Sequence, residues 1–167
     1  MTEKLQSLCS YVKDRTEVGA IDSTTYVSTE NMVPNNGGVV APASVPATGK
    51  VTLYKRGDTL VSNIRPYFKK IWQATKDGGC SNDVLVFRPN EQCDHDYLYW
   101  VLSSSGFFSY VSATAKGTKM PRGDKNAIMR YEVPTNDKER QLAIVAALSP
   151  LRQKLILNAR INGYLAA

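Results

Sequence analysis

The chain has 167 residues, of which 43% are hydrophobic and 22% are charged, and its formal net charge is +6. This length and composition fit one globular domain with room for an additional helix, and they exclude a chain that is disordered throughout. A basic chain favours a polyanionic partner, although net charge alone does not identify one.

No stretch of the sequence approaches the roughly 20 apolar residues that a membrane-spanning helix needs. The first ten residues, MTEKLQSLCS, also lack the apolar core of a signal peptide. The three cysteines, Cys9, Cys80 and Cys93, are an odd number without CxxC spacing, which argues against a disulfide framework. We therefore expect a soluble protein of the reducing cytoplasm with no membrane partner.

The first fifty residues combine two short apolar segments with one long polar segment. Apolar residues at helical spacing predict a short helix over residues 3–13, and a β-branched run predicts a strand over residues 23–28. Residues 30–50 hold three prolines and three glycines, which is loop composition. A loop of this length inside a compact domain is commonly functional.

The middle of the chain alternates short apolar runs with turn residues, as the strands of a sheet do. Asp96 is the predicted N-cap of a helix over residues 97–105, and residues 107–115 fit either a helix or a strand. Residues 116–126, KGTKMPRGDKN, form a basic loop. We predict strands over residues 51–54, 59–64, 70–74, 84–88 and 128–133.

The sequence changes character after residue 135, so we divide the chain into a domain of residues 1–135 and a helical segment of residues 136–167. Asn136 is a suitable cap for a helix that runs to about Leu165. Spacings of four and three residues alternate along this helix, which is typical of a coiled-coil seam. The seam keeps its phase across Pro150, which favours one kinked helix over a second helix capped by Ser149. The predicted seam consists of Ile144, Leu148, Leu151, Leu155, Asn158, Asn162 and Leu165.

The asparagines of this seam have two interpretations. An asparagine in an apolar seam can fix the register and the number of partner helices, at a cost in stability. Alternatively, Asn158 and Asn162 face solvent on a helix that packs against its own domain. We favour the seam that faces a partner.

Positive charge is concentrated in two segments of the chain. Residues 51–90 and residues 101–130 each carry a net charge of +4, whereas residues 91–100 carry −3. If the two basic segments lie side by side in the fold, they form one positive face. Such a face is suited to the phosphates of a nucleic acid.

Three groups of residues are candidates for DNA contact. The loop at 116–126 is the best candidate for phosphate contact, because its glycines allow a close approach of the backbone. The second group follows a strand, and its arginine suits a guanine edge unless it pairs with an internal acid such as Asp83. Asn31, Asn35 and Asn36 have the amide that reads adenine, but they are also ordinary turn residues. The DNA-contact candidates are Lys116, Lys119, Arg122 and Lys125 from the loop, Arg65, Lys69 and Lys70 after the strand, and Asn31.

Catalytic motifs are absent from the sequence. There is one histidine, His95, and there is no Walker, Rossmann or methyltransferase motif, so we expect no cofactor. Asp94 and Asp96 flank His95 in a spacing that fits no standard zinc pattern, and a polar helix entry is the preferred interpretation. A metal-dependent nuclease site of Asp83, Asp124 and Lys125 is kept as an alternative.

Five stretches of the sequence, taken together and in this order, resemble the target-recognition domains of Type I restriction-modification specificity subunits. They are YVSTENM at 26–32, GDTLVSNIRP at 57–66, SNDVLVF at 81–87, GTKMPR at 117–122, and the run ending KLILN at 154–158. The family usually has Glu-Gln before its conserved helix, where this chain has Arg140 and Gln141. A full subunit has two recognition domains and two helices, so this chain resembles a half-length form.

The resemblance implies an α/β fold, with a mixed-sheet recognition domain and a long C-terminal helix that pairs with a partner helix. It implies a non-catalytic protein that recognises a DNA sequence for other subunits. The implied partners are double-stranded DNA, a second copy or another half-subunit, and separate methyltransferase and restriction subunits. A stand-alone DNA-binding regulator is the remaining alternative.

Overall fold

The computed structural model describes residues 1–165, except for the side chains of residues 159, 160 and 162–165. The side chains of Asn162 and Leu165 therefore lie outside the described residues. The strands are β1 (Thr2–Lys4), β2 (Cys9–Tyr11), β3 (Arg15–Glu17), β4 (Tyr26–Val27), β5 (Lys50–Tyr54), β6 (Thr59–Ser62), β7 (Ile71–Gln73), β8 (Gly78–Cys80), β9 (Val84–Pro89) and β10 (Glu132–Pro134). The helices are α1 (His95–Ser103), α2 (Ser105–Ala113), α3 (Lys125–Met129) and α4 (Lys138–Leu165).

The strands form two four-stranded sheets and one two-stranded ribbon. The first sheet has the order β2-β9-β6-β7, the second has the order β3-β5-β8-β4, and β1 pairs with β10. All strand pairs are antiparallel except β4 with β8, which is parallel. Together with the helices, this confirms the predicted α/β fold with mixed sheets.

Strand β9 lies at the centre of the hydrophobic interior. Leu85 and Phe87 point into a core shared with α1 and α2, whereas Val84 and Val86 point into a second core between the sheets. Alternate residues of a strand face opposite sides, so an unbroken apolar run is buried on both faces. The strand predicted over residues 84–88 is confirmed for this reason.

The helix predicted over residues 3–13 is wrong. Leu5 and Leu8 are both buried, but they lie on a short 3-10 turn between β1 and β2. The amide of Leu5 donates to the carbonyl of Tyr131 over 2.8 Å, and β2 pairs with β9. Long-range pairing therefore overrides the helical spacing. The strand predicted at 23–28 is also reduced to β4, because Asp22 caps a 3-10 turn before it.

Helix boundaries in the second half of the domain also differ from expectation. Asp94, rather than Asp96, caps α1, because its carboxylate accepts the amides of residues 96 and 97. Most of the ambiguous segment 107–115 belongs to α2, which Ser104 caps and which ends at Ala113. The strand predicted at 128–133 is largely wrong. The first two residues of that predicted strand belong to α3, which Asp124 caps. Only the last part of the segment is extended, as β10.

Helix α4 is one continuous helix of 28 residues that includes Pro150, as favoured from the sequence. Its first turn is capped by Asp137, whose carboxylate accepts the amide of Arg140 over 2.8 Å, one residue later than predicted. In the described part of the chain, no helix is long and apolar enough to cross a membrane. Cys9, Cys80 and Cys93 are free and buried.

Candidate nucleic-acid interface

Two basic segments that are distant in the sequence meet at one end of the first sheet. Ile64 and Arg122 form a β-bridge, and the amide of Arg65 donates to the carbonyl of Pro121 over 2.8 Å. The segment that follows β6 is thereby joined to the loop of residues 116–126. The two basic segments therefore lie side by side at this point, which is the condition that the sequence set for one positive face.

The loop of residues 116–126 is closed into a compact hairpin. Lys116 and Arg122 exchange backbone hydrogen bonds of 2.8 and 2.9 Å. Gly117 has a φ of +98°, a conformation that residues with a side chain rarely adopt. Lys119 and Met120 are exposed at the tip of this hairpin. An exposed lysine on a fixed hairpin is suited to contact with a phosphate.

Two cations of the loop are already paired with acids. The ammonium of Lys116 lies 2.5 Å from the carboxylate of Asp124, and the guanidinium of Arg122 lies 3.1 Å from Asp83. The hydrogen bond from Lys116, helped by backbone amides of α3, lowers the pKa of Asp124 to about 2, so Asp124 is ionised at neutral pH. The sequence left open a pairing of Asp83 with Arg65. In the structure, Asp83 pairs with Arg122.

Lys125 borders a cleft that extends the basic surface. The cleft has a volume of about 450 Å³, and Lys13 and Arg15 also line it. The side chain of Arg15 is held by Asn82, which accepts a hydrogen bond of 2.6 Å. Lys13 and Arg15 were missed in the sequence, because isolated cations near a short strand carry no local signal.

Arg65, Lys69 and Lys70 surround the 3-10 turn Pro66–Phe68. Arg65 and Lys69 are half-buried, and the Nε of Arg65 has no hydrogen-bond partner among the described residues. The ammonium of Lys70 donates to the carbonyl of Thr29 over 2.6 Å. These three cations therefore lie at the base of the turn and leave its tip to the aromatic residues.

Asn31 is placed differently from the other candidates. It is buried, its carbonyl oxygen accepts the amide of Ser28, and its amide nitrogen donates to the carbonyls of Tyr26 and Val40. Both amide hydrogens are thus used inside the domain, so Asn31 stabilises the start of the long loop and is not part of the exposed surface. Asn35 and Asn36 of this loop are both exposed, and the side chain of Asn36 donates to the carbonyl of Ser103 over 3.3 Å.

The acids of the alternative nuclease site are both in structural use. Asp124 caps α3 with one carboxylate oxygen and binds Lys116 with the other. Asp83 accepts from Arg122. This arrangement explains the two acids as supports of the basic surface.

A second acidic group lies at the start of α1. The side chains of Asp94, His95 and Asp96 bring possible ligand atoms within 4.8 Å of one another. However, Asp94 is the N-cap, and Gln73 donates to the carboxylate of Asp96 over 2.8 Å. The group therefore matches the polar helix entry expected from the sequence.

The predicted seam of α4 divides into two parts. Ile144 packs against the core of its own domain, and Leu148 is half-buried. This differs from the expectation that both face a partner helix, because the first half of α4 lies against α1. Leu151, Leu155 and Asn158 are exposed. These three residues remain candidates for pairing.

The fold defines the class of protein: one mixed α/β domain that is continued by a long helix. No family model matches the chain. The EcoDI specificity subunit of Escherichia coli, a Type I restriction enzyme component, is 31% identical over 96 residues, which are 57% of this chain and 21% of that protein.

Solved structures share the whole fold. The HsdS subunit from Thermoanaerobacter tengcongensis has a TM-score of 0.71 at 20% identity, covering 99% of this chain and 45% of that chain. The Type I S subunit from M. genitalium has a TM-score of 0.62 at 18% identity, covering 96% of this chain and 41% of that chain. The resemblance to Type I specificity subunits is therefore confirmed. The chain spans less than half the length of these relatives.

Proposed function

We propose that this chain recognises one half of a bipartite DNA target, as a half-length specificity subunit of a Type I restriction-modification system. It lends its sequence preference to separate methyltransferase and restriction subunits, and it does not itself cut or methylate DNA. The observation that carries this proposal is the joining of two basic segments on one fixed surface through the bridge of Ile64 and Arg122. The similarity to the EcoDI specificity subunit supports it.

The chemistry of the surface fits duplex DNA. Lys119 is exposed at the tip of its hairpin, and Lys125 continues the positive charge toward the cleft of Lys13 and Arg15. Cations that neutralise phosphates release counterions, so affinity for DNA is expected to fall steeply with salt. Lys116 and Arg122 add little net charge to this surface, because they are paired with Asp124 and Asp83.

The second half of the proposal is that two copies pair through α4. Two-fold symmetric pairing is the simplest way to bury a seam that one copy leaves exposed. The part of α4 that begins with the exposed Leu151 and ends at Leu165 spans about 22 Å at about 1.5 Å per residue, and each domain adds its own width to the separation. One turn of DNA spans roughly 34–36 Å. Antiparallel helices can therefore place two domains on half-sites about one turn apart, which gives an interrupted palindrome.

The DNA surface is tested by removing two of its cations. We expect Lys119→Ala with Arg122→Ala to weaken binding to all duplexes alike, by about 1–3 kcal/mol, and to reduce the salt slope. A gel-shift titration at several salt concentrations measures both effects. The control is Arg56→Ala with Lys76→Ala, which removes the same charge. These two cations lie before the start of β6 and after the end of β7, at the end of the first sheet away from the hairpin loop. Equal losses in the two double variants would contradict a local contact.

The assignment to a modification system has its own test. We expect host DNA to be methylated at one bipartite sequence when this chain and a modification subunit are expressed together, and not when either is absent. Symmetric half-sites support pairing of two copies. An asymmetric site would indicate pairing with a different half-subunit. Sequence-specific binding without methylation would instead favour a stand-alone regulator.

A further inference from the structure

The turn Pro66–Phe68 presents two aromatic rings to solvent. The side chain of Tyr67 is 53% exposed and that of Phe68 is 39% exposed, and their ring centroids lie 4.9 Å apart. Phe is among the residues most often buried and Tyr is intermediate, and contiguous exposed apolar patches rimmed by polar residues mark interaction sites. The structure thus leaves this pair available to a partner.

The turn is held rigidly from several sides. Its carbonyls at Phe68 and Lys69 accept the amides of Asn35 and Asn36 over 2.9 Å each, and Arg65 is bonded to the hairpin loop. The turn also packs against α2. A ring presented on such a support loses little conformational freedom when it binds, which favours a specific contact.

Backbone strain is concentrated at the same place. Among the described residues, the non-glycine residues with positive φ are Asn35, Asn36, Arg65 and Lys69, with values between 49° and 60°. They belong to the two segments that hold the turn. Such conformations cost free energy and persist where the surrounding structure enforces them, commonly at binding sites. Arg65 and Lys69 directly flank the turn that carries Tyr67 and Phe68.

The charge around the rings identifies the kind of partner. Residues 65–70 contain Arg65, Lys69 and Lys70 and no acid. The ammonium of Lys70 lies 6.0 Å from the centroid of the Phe68 ring. Flat apolar rings within a cationic rim match nucleic-acid bases flanked by phosphates, and aromatic rings stack on bases. A purely apolar protein surface would leave these cations without counter-charge.

We propose that the Pro66–Phe68 turn contacts the bases of the recognised half-site. Tyr67 stacks on or wedges against a base at an easily unstacked step, and Phe68 supports it from behind. Wedges of this kind open the stack at flexible pyrimidine–purine steps, so the turn contributes to sequence preference. This inference rests on the proposed function. It identifies the Pro66–Phe68 turn as the part of the proposed DNA surface that distinguishes one DNA sequence from another.

The test separates base contact from phosphate contact. The full chain, with its modification subunit if the complex is the stable form, selects its half-site from a random duplex pool. Affinity is then measured for the selected duplex and for a scrambled duplex. We expect Tyr67→Ala to weaken binding to the selected duplex at least 10-fold and to leave the scrambled duplex within 2-fold. Tyr67→Phe should retain the preference, because it keeps the ring.

A matched variant and a spectroscopic signal complete the test. Lys119→Ala should weaken binding to both duplexes alike. A 2-aminopurine scanned through the half-site should change its fluorescence with the wild type at one position, and this change should vanish with Tyr67→Ala. Thermal unfolding of Tyr67→Ala should be unchanged, since the ring is exposed.

Several results would overturn the inference. If the wild type distinguishes the duplexes and Tyr67→Ala distinguishes them equally well, the turn does not read bases, although the proposed function stands. Loss of binding to the modification subunit with intact DNA preference would assign the turn to that protein. If the wild type shows no salt-dependent binding to any duplex, the proposed function itself fails.

Discussion

The two halves of α4 have similar sequence patterns and different surroundings. In the first half, Gln141 is buried and Ile144 packs against the domain core. In the second half, Leu151 is 55% exposed, Leu155 is 69% exposed and Leu157 is 56% exposed. One continuous apolar spacing along α4 therefore lies in two different environments. It attaches the helix to its own domain first, and it then leaves apolar side chains for a partner.

The exposed half is apolar on more than one side. Leu151 and Leu155 are four residues apart and share a face, and so do Leu157 and Ile161. Leu155 and Leu157, two residues apart, point in nearly opposite directions around the helix. A helix that is apolar on opposite faces is normally covered on both. The exposed half of α4 therefore presents apolar side chains on two opposite faces.

The largest expected effect comes from a charge in the exposed half. Leu155→Asp places two carboxylates in a two-fold interface, where they lose hydration without gaining a partner. We expect the dissociation constant of the dimer to rise by at least about 100-fold, or about 3 kcal/mol. Sedimentation of the wild type and the variant at the same concentrations measures this change.

The same experiment distinguishes the two halves of the helix. Gln153→Asp introduces the same charge at another exposed position two residues away, and we expect a smaller effect from it. Leu148→Asp should also weaken the dimer, but it should lower the stability of the domain as well, because Leu148 is half-buried. A wild type that sediments as a monomer at all concentrations would contradict pairing.

The next effect concerns the attachment of the packed half. The Gln141 side chain accepts the amide of Asp94 over 2.8 Å and donates to the carbonyls of Gln92 and Asn136. Gln141→Ala leaves all three groups without this partner inside the protein. We expect a loss of about 2–3 kcal/mol in the free energy of unfolding. Denaturant titration measures it.

A glutamine of the exposed half gives the control for this prediction. Gln153→Ala removes the same side chain from the same helix at an exposed position. We expect a change within about 0.5 kcal/mol. If the two alanine variants unfold at the same denaturant concentration, Gln141 does not attach the helix as described.

The parts of the fold that the sequence predicted are those fixed by local pattern. The apolar run of β9 is buried on both faces, so its pattern and its environment agree. Leu5 and Leu8 have helical spacing, but distant partners Tyr131 and β9 decide their structure. No pattern within a few residues records such a partner. For the same reason the sequence does not predict β3, which depends on pairing with β5.

The candidate site divides in the same way. Lys116, Lys119 and Arg122 could be found because they cluster within one short loop. Lys13 and Arg15 reach the same surface only through tertiary folding, so nothing near them in the sequence predicts it. Asn31 failed as a surface candidate because amide chemistry alone does not distinguish a base contact from a buried turn.

The boundary between the two halves of α4 is marked by Arg152. Its guanidinium carbon lies 3.9 Å from the centroid of the Tyr99 ring, and its Nη1 donates to the Oε1 of Gln73 over 2.9 Å. Gln73 in turn donates to Asp96 at the start of α1. This chain of contacts fixes the direction in which the exposed half leaves the domain. In the proposed pair of chains, this direction sets the spacing between the two half-sites.

The smallest expected effect on stability, and the most informative one on geometry, is that of Arg152→Ala. We expect Arg152→Ala to lower the free energy of unfolding by about 1–2 kcal/mol, because it removes a cation–π contact and leaves the buried oxygen of Gln73 unpaired. Arg152→Lys should restore less than half of this lost stability, since lysine lacks the planar group that stacks on Tyr99. Lys154→Ala, which removes an exposed cation, is the control.

The geometric consequence is measured on DNA. With the wild type, affinity should depend sharply on the number of base pairs between two half-sites. With Arg152→Ala, the helix direction is less constrained, so the optimum should broaden by one or more base pairs while affinity for a single half-site stays the same. A spacer dependence that is as sharp as in the wild type would show that packing of Ile144 and Leu148 alone fixes the direction of the helix.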